Sequence, residues 1–272
     1  MTSSIVPRPS LPLRSEAPKR PVAAGRAVDI FLAGAGLVVL SALMACIAAA
    51  ILLDGGGSVI FSQLRLGLGG KPFRLYKFRK FDENKGAGGG ALTLKDDPRL
   101  SRFGRLLARA KLDELPQLWN VLGGDMALVG PRPETLVFAD CFDDGHLWAL
   151  DYKPGIFGPA QVFFRNEGAL FLAQKDRDLE QFYREIVFPL KARIDRAYYP
   201  QRTLLRDIRW ILLGILAVLG RAPSFCEERD LAAQVDAWIY RNCGRRAAPP
   251  LEDRLDPNFA GGVDDAASRP AQ

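Results

Sequence analysis

The chain has 272 residues, of which 48% are hydrophobic and 25% charged, a balance typical of one globular domain with tails. This composition excludes collagen, a disulfide mini-scaffold and a wholly disordered chain. The formal net charge of +6 is uneven, because residues 62–111 carry thirteen Lys or Arg and only four acidic residues. Such a basic segment predicts an anionic partner, either phosphates or an anionic membrane surface.

The cysteines are scattered along the chain, with no CxxC pair and only one histidine, so a Cys/His zinc site is improbable. Unpaired thiols are typical of a reducing compartment, and we therefore expect the chain to face the cytosol.

Both ends of the chain have the composition of disordered tails. Residues 1–25 contain five prolines and several basic residues but not the layout of a signal peptide, which predicts a disordered basic arm. Residues 223–272 are expected to form a helix and then a disordered tail, since Pro, Gly, Ala and Asp dominate beyond Arg245.

Residues 26–54 predict a membrane helix, because residues 30–53 form a run of 24 residues without a charge. A buried helix of a soluble core is the alternative, but a helix that is apolar on every face needs lipid or a very large core. Basic residues flank both ends, and the positive-inside tendency would place both flanks in the cytoplasm. A re-entrant helix bent near Gly34, Gly36 or Ser41 satisfies this tendency, whereas a straight span does not.

The next elements are short. Residues 58–61 and 72–78 predict two strands of a small β-hairpin, with glycines between them. Residues 99–122 have helical spacing, with a new helix expected to start near Asp113, and residues 172–199 are also expected to be helical.

Residues 210–220 form an apolar run that is too short to cross a bilayer, with two arginines just before it. The pattern suits a helix lying in the membrane interface, and equally a buried helix of the soluble core. The overall prediction is an α+β fold that is mostly helical, with an N-terminal membrane-embedded helix, a small β-hairpin and C-terminal interfacial helices.

Two adjacent carboxylates, Asp113 and Glu114, follow the basic stretch. A carboxylate pair at a helix start usually only caps the helix. Near Arg105, Arg109 and Lys111 the pair could instead hold a divalent cation and handle a phosphate, and oxygen ligands suit Mg²⁺.

Other basic residues sit in constrained positions. The two prolines in the turn at residues 130–133 restrict Arg132, which could make a bidentate phosphate contact or simply be solvated. Lys77 and Arg79 share one face of the second predicted strand, where they could bind phosphate or face water on an edge strand.

Short motifs follow in a fixed order over residues 58–166. They are SVIF at 58–61, GKPF at 70–73, YKFR at 76–79, DPRL at 97–100, LDELPQ at 112–117, GDM at 124–126, LVGPRP at 128–133 and KPGI at 153–156. This set closely resembles the bacterial sugar transferase family, the small monotopic polyprenol-phosphate phosphoglycosyl transferases. Residues 30–53 resemble the family's membrane helix, and residues 55–222 its catalytic domain.

The resemblance implies transfer of a sugar-1-phosphate from a nucleotide diphosphate sugar, usually a UDP-sugar, to undecaprenyl phosphate, with release of UMP and a requirement for Mg²⁺. By motif position Asp113 would be the nucleophile that forms a covalent phosphosugar intermediate. Glu114 would be a metal ligand, with Asp113, or a general base. Arg132, Lys77 and Arg79 would bind the phosphates.

Two further site residues follow from looser matches. Arg109 would be the phosphate-binding arginine upstream of the carboxylate pair, and Asp195 resembles an acidic position near the family's site. The chain also departs from the family, with Ser41-Ala42 in place of Ser-Pro in the membrane helix. Residues 163–165 read Phe-Phe-Arg in place of Asn-Gly-Arg, which points to an altered sugar pocket.

The resemblance places the protein in the inner (cytoplasmic) membrane with its catalytic domain facing the cytoplasm, at the first membrane step of surface glycan assembly. Its partners would be undecaprenyl phosphate, the nucleotide sugar and the membrane, and its oligomeric state is left open. Nucleic acid is not expected, because the basic run fits no nucleic-acid-binding motif. A non-catalytic membrane-anchored scaffold that retains the fold is the alternative, and the intact Asp113-Glu114 pair speaks against it.

Overall fold

The computed structural model describes residues 23–54, 57–82, 92–94, 97–173, 178–218 and 231–243. Most of the predicted basic arm and all of the tail beyond Arg245 lie outside these residues. The helices are α1 (Ala23–Val39), α2 (Ser41–Leu53), α3 (Arg102–Ala110), α4 (Gln117–Gly123), α5 (Pro159–Phe163), α6 (Glu167–Ala173), α7 (Leu179–Phe182), α8 (Phe188–Tyr198), α9 (Leu204–Val218) and α10 (Leu231–Cys243). The strands are β1 (Ile60–Leu66), β2 (Pro72–Phe78), β3 (Ala127–Val129) and β4 (Gly155–Phe157).

The fold is mostly helical with two small sheets, as predicted for the class. The chain divides into two compact units, Met1–Arg229 and Asp230–Gln272, and α10 is the described helix of the second. The finer domain boundaries drawn from the sequence remain predictions.

The predicted β-hairpin is confirmed, because β1 and β2 pair antiparallel from Ile60 opposite Phe78 to Leu66 opposite Pro72. The first strand was expected at residues 58–61, but it begins at Ile60 and continues to Leu66. Pairing continues up to the tight turn after Leu66, where the Gly67 N–H donates to the Lys71 carbonyl, 3.0 Å.

A second sheet was not predicted. Strands β3 and β4 pair in parallel, with Ala127 opposite Gly155 and Val129 opposite Phe157. Three-residue strands are too short for an alternating pattern to reveal them. The pairing brings the backbones of Gly130 and Gly155 so close that a side chain at either would overlap the other. It therefore fixes the start of the turn that carries Arg132.

Residues 26–54, for which a helix bent near Gly34, Gly36 or Ser41 was considered, lie in two helices, α1 and α2, which are bent by 59° at Leu40, next to Ser41. Neither helix alone is long and apolar enough to cross a bilayer, although the bent pair together has the length and composition. The Ser41 hydroxyl donates to the Val38 carbonyl at 2.7 Å, which satisfies this backbone group at the break. The bend thus forms with Ala42 where the family carries proline.

The bent pair packs against the rest of its unit through one face. Arg26, in the first turns of α1, donates to the carbonyls of Val121 and Leu122 at the end of α4, and the Asp29 carboxylate accepts from the Leu128 N–H at 3.0 Å. The apolar core beneath α1 consists of Ala33, Leu75, Leu118, Val121, Met126 and Leu128, and the core beneath α2 consists of Ile47, Ile51, Phe78 and Leu107.

The predicted helix over residues 172–199 is interrupted. Helix α6 ends at Ala173, and α7 and α8 are joined by a π-helical turn at Tyr183–Val187. Helix α9 covers residues 210–218 of the apolar run, for which an interfacial and a buried helix were both considered; residues 219 and 220 lie outside the described residues. It buries Trp210, Gly214 and Ala217 on one face. The large apolar residues exposed on α9 are Leu204, Leu205, Ile208, Leu212, Ile215 and Leu216.

Helix α3 begins directly against the residues that follow β2. The Ser101 N–H donates to the Lys80 carbonyl at 3.1 Å, and Gly104 lies so close to that carbonyl that a Cβ would overlap it. The close approach places Lys80 beside the first turns of α3.

Replacing Gly104 by alanine is expected to lower the free energy of unfolding by about 1–3 kcal/mol, because the added methyl must displace backbone. The melting temperature in detergent checks this. Gly34→Ala is the matched control, since a Cβ at Gly34 meets nothing within 4 Å. Equal melting temperatures for the two variants would contradict the close approach of Lys80 and Gly104.

Candidate active site

A cavity of about 1070 Å³ opens between the β-hairpin, α3 and the segment after β3. Its lining includes six of the sequence-predicted site residues, Lys77, Arg79, Arg109, Asp113, Glu114 and Arg132, but not Asp195. Residues far apart in the sequence thus come together around the Asp113-Glu114 pair, which we call the dyad.

The dyad lies on a tight turn and not at the start of a helix as expected. Lys111 ends α3 in the left-handed conformation, with φ of 56°, and Leu112–Glu114 then form a single 3₁₀ turn. Helix α4 begins only at Gln117, and its N-cap is Pro116, so neither carboxylate caps it. The capping interpretation therefore does not account for the dyad.

Cations surround the dyad on several sides. The Lys77 Nζ lies 2.9 Å from Oε1 of Glu114, and an Arg132 guanidinium nitrogen lies 3.7 Å from the same oxygen. The Lys80 Nζ lies 3.7 Å from Oδ2 of Asp113. Asp113 is only 2% exposed, and its Oδ1 has no hydrogen-bond partner among the residues that the structure describes. One oxygen of a buried carboxylate is therefore left for a ligand.

Burial and charge oppose one another at the dyad. Burial would raise the pKa of Glu114, but Lys77, Lys111 and Arg132 outweigh it and hold that pKa well below its usual range. Burial lowers the pKa of Lys77 to about 8, although the two carboxylates favour its charged form. Glu114 is thus ionised at neutral pH and can act as an acceptor or a metal ligand.

Arg79 and Arg109 line the same cavity at a different place. The Arg79 guanidinium donates to the Ile51 carbonyl at the end of α2, 3.4 Å away. Arg109 lies near the end of α3, and its own carbonyl accepts from Arg165 at 3.3 Å. Of the two basic residues predicted to share a face of β2, Lys77 therefore pairs with the dyad and Arg79 reaches α2.

Asp195 lies on α8 and lines a separate small cavity of about 40 Å³ together with Arg132, Glu134 and Lys191. It is 6% exposed, and burial raises its pKa to about 8, against the opposing effects of the Ala160 N–H and Lys191. The structure does not bring Asp195 into the large cavity with the other predicted residues.

Asp195→Asn is expected to flatten the pH dependence of stability. Between about pH 4 and pH 8 the folded protein keeps a proton on Asp195 that the unfolded chain has lost, so the free energy of unfolding falls as pH rises. The asparagine variant lacks this loss and should melt above the wild type by a margin that grows from pH 5 to pH 9. A margin independent of pH would contradict the raised pKa.

Sequence reasoning missed a buried network on the far side of Arg132. The Tyr183 hydroxyl donates to Oε1 of Glu134 at 2.7 Å, the Lys191 Nζ lies 3.2 Å from that hydroxyl, and Lys191 pairs with Glu167 at 2.5 Å. These four residues line the large cavity. The available signal was Lys191 itself, a charged residue on the apolar face of α8 three residues after Phe188.

The dyad fits the predicted Mg²⁺. Magnesium is often held by one or two carboxylates together with substrate phosphates, and keeps several waters. Asp113 and Glu114 are consecutive carboxylates, and Oδ1 of Asp113 has no partner among the described side chains and backbone groups. Within the described parts of the chain no group of three or more His, Cys, Asp or Glu residues could hold a metal, so the remaining ligands would come from phosphate and water.

Known proteins match this chain over the same region. The model of the bacterial sugar transferase family matches residues 21–221. A UDP-N-acetylgalactosamine-undecaprenyl-phosphate N-acetylgalactosaminephosphotransferase of Aeromonas hydrophila is 41% identical over 140 residues, 50% of this chain and 33% of the relative. A UDP-glucose:undecaprenyl-phosphate glucose-1-phosphate transferase of Escherichia coli (strain K12) is 40% identical over 140 residues, 50% of this chain and 30% of the relative.

A third relative aligns over more of the chain. A protein of Xanthomonas campestris pv. campestris with the same name as the E. coli relative is 37% identical over 202 residues, 72% of this chain and 39% of the relative. The chain therefore spans less than half the length of these three relatives.

Proposed function

Because the chain belongs to the bacterial sugar transferase family, we propose that it transfers a sugar-1-phosphate from a UDP-sugar to undecaprenyl phosphate and releases UMP. The names of the three relatives, with UDP-N-acetylgalactosamine or UDP-glucose as donor, support this reaction class. The observation that carries the proposal is the buried Asp113 inside a cavity rich in cations, with one oxygen that no described residue contacts by a hydrogen bond.

The basic residues of the cavity bind the diphosphate of the donor. Arg132 is the best placed, since its guanidinium lies 3.7 Å from Glu114 and its planar fork matches two phosphate oxygens. Lys77 and Lys80 hold the dyad from the β2 side, while Arg79 and Arg109 add positive charge along the cavity. Together they offset the repulsion between an anionic nucleophile and an anionic phosphate.

In the first step a carboxylate oxygen of Asp113 attacks the phosphorus that carries the sugar. The bond from that phosphorus to the bridging oxygen breaks, and the electron pair leaves with UMP. The product is an aspartyl-phosphosugar, and no proton needs to be removed from the ionised nucleophile. A carboxylate is a weak nucleophile toward phosphate, and this is why the surrounding charge matters.

Asp113 and Glu114 would hold Mg²⁺ through their carboxylate oxygens. Bound there, the ion would neutralise charge on the phosphate oxygens and on the leaving UMP. Lys77 and Arg132, both in contact with Glu114, keep that carboxylate ionised and fix its direction.

In the second step an oxygen of undecaprenyl phosphate attacks the same phosphorus and displaces the Asp113 carboxylate. The products are the undecaprenyl diphosphate sugar and the regenerated enzyme. Two sequential displacements at one nucleophile predict ping-pong kinetics. This would be the first membrane step of surface glycan assembly.

The bent pair of α1 and α2 would place the cavity at the cytoplasmic face of the inner membrane. Its outward face carries a set of exposed apolar side chains, Ile30, Phe31, Leu32, Val38, Val39, Leu43, Leu52 and Leu53. Exposing such an apolar face to water is unfavourable, and burying it in lipid is favourable. We propose that the pair re-enters on the cytoplasmic side and that the exposed face of α9 lies in the interface.

Topology is tested by placing single cysteines before α1 and after α2 in a variant without the native cysteines. Labelling of both sites only from the cytoplasmic side is the expected result. Labelling of the two sites from opposite sides would contradict the re-entrant arrangement.

Catalysis is tested by UMP release from purified protein in detergent with undecaprenyl phosphate, Mg²⁺ and a panel of UDP-sugars. Turnover with at least one donor, dependent on the acceptor and abolished by chelation of Mg²⁺, is the expected result. Failure of every donor, with an intact melting transition, would favour the non-catalytic scaffold instead.

A further inference from the structure

The large cavity has a second wall, beyond Arg132, whose chemistry differs from that of the phosphate-binding region. We call Glu134, Glu167, Tyr183 and Lys191 the polar wall. Its hydrogen bonds and ion pairs link all four residues, and both of its carboxylates lie close enough to Arg132 to stabilise the charged guanidinium. The polar wall is therefore contiguous with the dyad through Arg132.

The opposite side of the dyad is basic. The Lys80 ammonium lies beside Asp113, and both Lys80 and Arg99 lie over the ring of Phe81, at 5.4 and 4.8 Å from its centroid. Arg105 and Arg109 line the cavity nearby in sequence, on α3. A diphosphate is held by cations of this kind.

The polar wall suits a different part of the donor. Its two carboxylates would repel phosphate, but carboxylates accept strong hydrogen bonds from hydroxyl groups. Thr135, next to Glu134, also lines the cavity, and its buried hydroxyl has no hydrogen-bond partner among the described residues. An uncharged ligand rich in hydroxyls satisfies these groups, whereas a second phosphate does not.

We infer that the Glu167 carboxylate and the Thr135 hydroxyl bind hydroxyl groups of the transferred sugar and so select the donor. The inference rests on the proposed function and adds the residues that discriminate between sugars. Glu167 is the reachable carboxylate of the polar wall, since its side chain is 23% exposed whereas Glu134 is 7% exposed. Lys191 holds the Glu167 carboxylate in place through their ion pair.

The charge of Glu167 supports this role. Burial alone would raise its pKa, but Lys191 and Arg132 lower it to about 2, so the group accepts hydrogen bonds throughout the neutral range.

The test measures equilibrium binding in the Asp113→Asn background, so that donor is not consumed. Isothermal titration calorimetry with Mg²⁺ compares UDP with UDP-glucose, UDP-galactose, UDP-N-acetylglucosamine and UDP-N-acetylgalactosamine. Adding Glu167→Gln should weaken the affinity for the preferred UDP-sugar by about 10-fold or more, as expected for the loss of a hydrogen bond to a charged group. Affinity for UDP itself should stay within about twofold, because UDP lacks the sugar.

Thr135→Val gives a second and gentler variant, since valine has nearly the same shape and no described residue hydrogen-bonds the lost hydroxyl. This variant should keep the wild-type melting temperature and should lose affinity for the UDP-sugar but not for UDP. If Glu167→Gln does not fold, Thr135→Val alone tests the inference. Equal changes for UDP and UDP-sugars, or no change, would overturn the sugar subsite while leaving the reaction class intact. If neither the Asp113→Asn parent nor the wild-type protein bound any of the five ligands, the proposed donor itself would be wrong, and the subsite with it.

Discussion

Replacing Asp113 by asparagine is expected to reduce sugar-phosphate transfer by about 10⁴-fold or more, because the amide cannot form the aspartyl-phosphosugar. The loss is measured as a lower rate of UMP release from donor and acceptor in detergent. The stability of the fold should not decrease. Asp113 is a buried carboxylate that lies 3.7 Å from Lys80, and within the described parts of the chain its Oδ1 makes no hydrogen bond. The melting temperature should therefore stay the same or rise.

The combination of lost activity and retained stability separates a nucleophile from a structural carboxylate. Asp143→Asn is the matched control, since that carboxylate is 67% exposed and pairs only locally with His146. It should retain wild-type turnover. Substantial turnover by Asp113→Asn, at a level that contaminating wild-type enzyme cannot explain, would remove Asp113 as the nucleophile.

Replacing Arg132 by glutamine is expected to lower kcat/KM by about 10²–10³-fold, the usual effect of removing one donor to a transition-state oxyanion. The turn that carries Arg132 is fixed by the close backbone contact of Gly130 and Gly155 and by two prolines, and its guanidinium lies 3.7 Å from Glu114. Arg132→Lys should recover only part of the loss, because lysine keeps the charge but not the planar fork.

Arg79→Gln is the control for a general loss of positive charge. Arg79 lines the same cavity, but its guanidinium reaches the Ile51 carbonyl and not the dyad. A smaller loss of kcat/KM for Arg79→Gln than for Arg132→Gln would support a directed contact. Equal losses would indicate that the cavity acts only through its net charge.

The sequence predicted those parts of the site that depend on short, contiguous segments. The hairpin follows from glycine-flanked strands, and the dyad and the Arg132 turn follow from residue types whose chemistry is local. The position of the dyad on a 3₁₀ turn was not predictable, because the left-handed Lys111 that ends α3 is not glycine. Helical spacing on either side concealed the break.

The rest depends on contacts between distant segments. Lys191 and Glu167 are 24 positions apart, and nothing in either neighbourhood signals that they form an ion pair in the wall of the cavity. Asp195 shows the converse problem: a match of residue type suggested a site role, the fold buries the residue in a small cavity that it shares with Arg132, and the role remains a prediction. Burial and long-range pairing are set by packing, which a single sequence does not show.

The covalent aspartyl-phosphosugar intermediate on Asp113 can be detected by a labelling experiment. The protein is mixed with Mg²⁺ and a UDP-sugar carrying ³²P in the phosphate attached to the sugar, with no acceptor present. We expect UMP to be released at about one equivalent per active enzyme. The label should stay on the protein and should map to the peptide that contains Asp113. If UMP is released only when undecaprenyl phosphate is added, and no label stays on the protein, the sugar-phosphate is transferred directly and the covalent intermediate is ruled out.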